Sequence, residues 1–126
     1  MSQMDERRQE RKEKFDRLVK CGPDTEMGKL LRKFWLPVEL SENVELNSAI
    51  PVKALGEELT LYRGASGKVH LVGGRCAHRR TLLHTGWVVG DDIRCIYHGW
   101  QFDSTGACVN RPAENDTGMP RTKIPG

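Results

Sequence analysis

The sequence predicts a small, mainly antiparallel β fold behind an N-terminal helix. Three observations carry that expectation. From Pro51 onward the chain breaks into short runs, "PVKAL", "ELTLYRG" and "KVHLVGG", which are β-branched and partly alternating. Glycine-bearing turns separate them. Ahead of them stands one apolar stripe at helical spacing, ended by a proline. A chain of 126 residues suffices for one small domain with a modest core.

The elements follow in order. Residues 1–23 read as a charged helical or disordered arm. Its first 20 residues hold seven Lys or Arg against five Asp or Glu. Glu10 and Lys14, Glu13 and Arg17, and Asp16 and Lys20 have i,i+4 spacing with the acid first, which supports a solvated helix. "CGPD" at 21–24 breaks it. In "TEMGKLLRKFWLPVEL", Met27, Leu30, Leu31, Phe34 and Trp35 share one helical face and read as core packing. Asp24 or Thr25 caps the start, and Pro37 stops the helix because the residue before a proline avoids the helical region. "WVVGDDIRCI" then reads as a hairpin turning near Gly90, Asp91 and Asp92. "WQFDSTGACV" reads as a second, turning from Asp103 to Gly106. Residues 114–126 read as an irregular tail.

Composition excludes little. The net charge of +3 makes no case for nucleic acid or an anionic membrane. No apolar run approaches the roughly 18 residues of a transmembrane helix. The charged start shows no secretory signal, so a cytoplasmic setting is expected. There, four cysteines point to metal or free thiols before disulfides.

"CIYHGWQF" at 95–102 carries the chemistry. Cys95 and His98 stand three apart, and "GRCAHRR" supplies Cys76 and His78, two apart. Sixteen residues separate His78 from Cys95. Two short loops, each with one thiolate and one imidazole, can close on a metal centre from opposite sides. A single tetrahedral zinc and a two-iron cluster both fit four such ligands. Zinc fingers usually pair like ligands along the chain, whereas here each loop holds one of each, which favours the cluster. Gly73, Gly74, Gly86 and Gly99 flank the loops, where backbone N–H groups are expected to turn toward sulfur.

The two boxes in "CAHRRTLLHTGWVVGDDIRCIYHGWQFDSTGACV" resemble those of the Rieske [2Fe–2S] domain of ring-hydroxylating oxygenases. "MGKLLRKFWLPVEL" looks like the leader of phthalate-dioxygenase-like and aromatic O-demethylase members. The resemblance spans residues 24–113 and departs at Arg80, where small residues are common. It implies that Cys76 and Cys95 bind one iron and His78 and His98 the other. It implies no catalytic residue in this chain. It also implies electrons arriving from a flavin/iron–sulfur reductase or a ferredoxin, and leaving through the histidines to a mononuclear-iron catalytic domain in a neighbouring subunit of a homo-oligomer. High-potential Rieske proteins carry an extra cysteine pair and a serine hydroxyl at positions held here by Thr81, Tyr97 and Trp100. Their absence points to a low potential.

The oxygen chemistry of such enzymes needs a two-histidine, one-carboxylate iron, and His70 and His84 form no second motif. His70 is expected to pack or face solvent, and His84 to play at most a neighbouring role. Cys21 and Cys108 read as free thiols. Arg79, Arg80 and Arg111 are solubilising charge, or the rim of a face for an acidic electron partner. Asn115 opens a formal glycosylation sequon. Two functional classes remain. One is the N-terminal electron-transfer portion of an oxygenase, with its last strands missing; the other is a stand-alone Rieske ferredoxin. "RPAENDTGMPRTKIPG" at 111–126 lacks apolar alternation, so the sheet edge and part of the core are expected to lie open.

Overall fold

A computed structural model of the chain describes residues 2–112 and 122–126. Asn115 and its sequon lie outside the described residues. The chain divides into two compact units, one of residues 1–37 with 55–57 and one of 38–54 with 58–126.

The first unit is helical. Helix α1 runs Gln3–Val19, opened by a capping box in which Ser2 and Asp5 satisfy each other's backbone N–H groups. None of its residues is buried. Of the three expected pairs, Asp16–Lys20 forms at 3.0 Å, while Arg17 instead meets Glu26 at 2.9 Å. Helix α2 is only Glu26–Leu31, and Thr25 caps it by accepting from the Gly28 N–H. The apolar stripe is a correction. After Leu31 the N–H groups of Lys33 and Phe34 bond three residues back rather than four. The helix therefore ends before the stripe is complete. Leu30 and Phe34 are exposed and Trp35 is fully so, rather than core.

The second unit is β. Strands β1 (Ser48–Ala54), β2 (Glu57–Arg63) and β3 (Val69–Gly73) form one sheet in that order. Leu55 and Gly56 both take positive φ in the two-residue link between β1 and β2, the geometry that matches strand twist. A second sheet holds β4 (Trp87–Val89), β5 (Asp92–Arg94), β6 (Gln101–Phe102) and β7 (Cys108–Asn110), all antiparallel. Both expected hairpins form. Val89 pairs with Asp92 across the Gly90 turn. The β6–β7 turn is tied by the Asp103 carboxylate, which accepts from the Thr105 hydroxyl at 2.6 Å and from the N–H groups of Thr105 and Ala107.

The core joins both sheets: Tyr62, Val72, Leu83, Ile93, Phe102 and Ile124 are buried together. Tyr62 donates its hydroxyl to the Asp91 carbonyl at 2.8 Å. Ile124 corrects the expected open end. The Ile124 N–H donates to Gly106, the Gly73 N–H to Pro125 and the Cys108 N–H to Thr122. Lys123 forms an isolated bridge with Ala107. Residues 122–126 have no apolar alternation because a single side chain, Ile124, closes the core while backbone bonds hold the rest.

Candidate metal centre

The four singled-out residues sit at the tips of two matching loops. The pair Arg75 and Leu82 brackets residues 76–81, and the pair Arg94 and Gln101 brackets residues 95–100. In the first loop, the Cys76 N–H donates to the Thr81 carbonyl and the Arg80 N–H to the Cys76 carbonyl, both at 2.8 Å. In the second, the Cys95 N–H donates to the Trp100 carbonyl at 2.8 Å and the Gly99 N–H to the Cys95 carbonyl at 3.1 Å. The fifth residue of each loop takes the left-handed conformation, Arg80 at φ 61° and Gly99 at φ 76°. Glycine adopts it freely; an arginine does so at a cost of about 1–2 kcal/mol. The departure at Arg80 therefore leaves the loop's shape intact.

Of the flanking glycines, only Gly99 serves by its positive φ. Gly74 and Gly86 sit where another stretch of chain passes too close for a side chain, Gly73 lies tight against the Pro125 ring, and the N–H groups of Gly73 and Gly74 bond to carbonyls, not toward sulfur. The N–H groups that do approach a thiol are those of His78 and Arg79 at Cys76.

The side chains pair off by type. Cys76 and Cys95 are buried, at 1% and 2% exposure, and their thiols meet. Burial pushes the Cys76 thiol up to about 11; the His78 N–H partly offsets this, and the neighbouring Cys95 adds to it. The His78 and His98 rings meet edge to face, with centroids 4.7 Å apart. His98 is exposed and His78 half-buried. A thiol pair inside and an imidazole pair outside present sulfur donors to one side of a centre and nitrogen donors to the other, the division that a two-iron cluster with unlike irons takes.

Other candidates fall elsewhere. His70 packs on Tyr62 with centroids 5.2 Å apart, and its Nε2 is 3.9 Å from Asp91. His84 lines a cleft of about 240 Å³ with Pro51, Lys53 and Glu58. Cys21 and Cys108 are free thiols, and no disulfide joins any of the four cysteines. Trp100 carries more of the site than its sequence position announced. It is buried, and its ring stacks on His78 at 4.6 Å and 7°.

Comparison with known proteins decides the family. The Rieske [2Fe-2S] domain model matches residues 34–122. The chain belongs to the Rieske [2Fe–2S] domain family. Its cofactor is accordingly a Rieske-type [2Fe–2S] cluster, and the paired thiols and paired imidazoles fit the donor set such a cluster requires. The chain is 43% identical over 109 residues to the 5,5'-dehydrodivanillate O-demethylase oxygenase subunit of a Sphingobium species, covering 86% of this chain and 26% of that protein. It is 43% identical over 97 residues to phenoxybenzoate dioxygenase subunit alpha of Ectopseudomonas oleovorans, covering 77% and 24%. Among solved structures, NdmA of Pseudomonas putida CBB5 superposes with a TM-score of 0.70 at 34% identity, over 77% of this chain and 31% of that one. The chain thus spans about a quarter of the length of these curated relatives. Among the described residues no helix is long and apolar enough to cross a membrane.

Proposed function

We propose that this chain passes single electrons through a Rieske cluster, as the N-terminal part of an aromatic ring-hydroxylating dioxygenase or O-demethylase oxygenase subunit. Cys76 and Cys95 hold one iron, and His78 and His98 the other. The observation that carries the reading is the separation of donors by type at the tips of two matching loops, with thiols buried and imidazoles facing outward. When bound, the cluster supplies reversible one-electron storage, made easier to reduce because neutral imidazoles replace two thiolates.

The chain's own residues shape the rest. The N–H groups of His78 and Arg79 lie against the Cys76 sulfur and favour its thiolate form. The exposed His98 edge, flanked by exposed Ile96 and Tyr97, gives the shortest path to a partner. Arg79 and Arg80, exposed directly after His78 in the chain, suit an acidic electron partner. The donor is a flavin/iron–sulfur reductase or a ferredoxin. The acceptor is a mononuclear-iron catalytic domain outside these residues, in a homo-oligomer of the full-length protein in the cytoplasm. His70, packed on Tyr62, and His84, at its own cleft, are not arranged to hold that mononuclear iron.

Iron and sulfide analysis with electron paramagnetic resonance tests the reading. The expected result is about two irons and two sulfides per chain, with a reduced-state signal that His98→Ala abolishes. Stoichiometric zinc without visible absorbance would overturn it.

A further inference from the structure

Beyond the four donors, one cluster of side chains converges on the site from behind. The Trp100 indole is buried and lies nearly parallel to the His78 ring, 7° apart in plane and 4.6 Å between centroids. The Arg111 guanidinium carbon sits over the same indole, 5.1 Å from its centroid. Pro112 follows at once and covers the second loop: a Cβ placed on Gly99 would lie 3.4 Å from the proline ring. The segment after β7 therefore reaches back and clamps both Trp100 and the turn beside it.

The two imidazoles are not held alike. A histidine's outer torsion is broad and two-fold, so its ring plane is set by neighbours rather than by its own rotamer. Among the described residues the His78 ring is met by the rings of Trp100 and His98. His98 is exposed, and its other ring neighbour is Tyr97, 4.0 Å away, itself 58% exposed. One ligand candidate is backed by a buried, clamped indole; the other stands on an open face.

We propose that Trp100, clamped by Arg111 and Pro112, is a positioning residue that fixes the ring plane of His78, leaving His98 as the adaptable imidazole. Offset stacking selects one plane among those the torsion allows. The guanidinium over the indole, a cation on the negative face of a π-system, holds the indole in turn. Outer contacts that orient a ligand ring control metal retention as well as geometry. The role rests on reading His78 as a ligand.

The test uses the full 126-residue chain in its cluster-loaded, reduced form. Pulsed electron paramagnetic resonance reads the nitrogen couplings of the two imidazoles separately. Trp100→Leu keeps an apolar side chain but removes the stack; Trp100→Phe restores a ring. In Trp100→Leu, one imidazole's couplings should shift and broaden while the other's stay. Chelator-driven loss of visible absorbance should quicken on the order of tenfold. Trp100→Phe should recover most of both. Unchanged couplings in a fully loaded Trp100→Leu would overturn the positioning role. If Trp100→Leu takes up no cluster, Arg111→Gln decides: a shift in one imidazole alone supports the role, and parental couplings with parental chelator resistance refute it. His78→Ala separates the two claims. A full Rieske signal in that variant overturns the ligand reading itself. Its loss, together with parental couplings in Trp100→Leu, overturns only the positioning role.

Discussion

Replacing Ile124 by Ala should destabilise the β unit far more than its place near the end of the chain suggests. The side chain is 5% exposed and packs with Tyr62, Leu83 and Phe102. The substitution removes three carbons, about 2.4 kcal/mol of transfer free energy at roughly 0.8 per carbon. The residual cavity adds to that, so about 3–4 kcal/mol is expected, inside the range for buried Ile→Ala changes. The backbone bonds at Gly73, Gly106 and Cys108 hold residues 122–126 in place, which limits collapse into the gap. Urea titration followed by circular dichroism and by cluster absorbance reads the effect. With a slope of about 1–1.5 kcal/mol per molar urea, the midpoint should fall by about 2–4 M. Ile124→Val should cost about 1 kcal/mol. Leu46→Ala, at an exposed position, serves as the control. A midpoint for Ile124→Ala no lower than that of the control would refute the claim that residues 122–126 close the core.

Arg80→Gly should raise the thermal midpoint, because relief of the left-handed strain outweighs glycine's entropy cost by about 0.5–1 kcal/mol; an unchanged or lower midpoint at one scan rate refutes it. Asp103 responds to acid. Burial raises its pKa, but the hydroxyl and N–H of Thr105 and the N–H of Ala107 outweigh burial and hold the carboxyl below its ordinary value. Its stabilisation is therefore complete above the unfolded pKa and lost as pH falls through the lower folded one. Between pH 6 and pH 3 the parent's urea midpoint should drop more than that of Asp103→Ala, and equal drops would contradict this. The reduction potential should lie near the bottom of the Rieske range, about −150 mV, because Thr81 and Tyr97 can form no disulfide and Trp100 carries no hydroxyl; film voltammetry giving a value near +300 mV would defeat the donor argument.

The hairpins, and the four residues singled out as donor candidates, could be read from the sequence because their determinants are local. Gly90 and Asp103–Gly106 specify turns within a few residues, and Cys76, His78, Cys95 and His98 declare their chemistry by type and spacing. What failed to show depends on distance. The stripe from Met27 to Trp35 assumed helical geometry that stops at Leu31, so a pattern correct in period was wrong in length. "TKIPG" has no strand signature, since Ile124 is held by Gly106 and Pro125 by Gly73, neither of them near in sequence. The stack of Trp100 on His78 joins two loops across the site, and no window of sequence contains both partners.

The likeness of the two loops sharpens what differs between them. Both tie their cysteine N–H to a carbonyl five residues on, and both turn through a left-handed fifth residue. The histidine, however, is third in the first loop and fourth in the second. The third position of the second loop is Tyr97, which is exposed and leans on His98. The sixth positions differ as well: Thr81 in one, and in the other Trp100, whose indole crosses to the first loop's histidine. Matching backbones bring the two thiols together in the interior. The unmatched histidine offset and the single indole make the outer pair unequal, with one ring backed by the core and one presented to solvent. An electron-transfer site gains from that division. If the proposed roles hold, the backed ring keeps the geometry, and hence the potential, constant, while the presented ring meets a partner's surface without disturbing it.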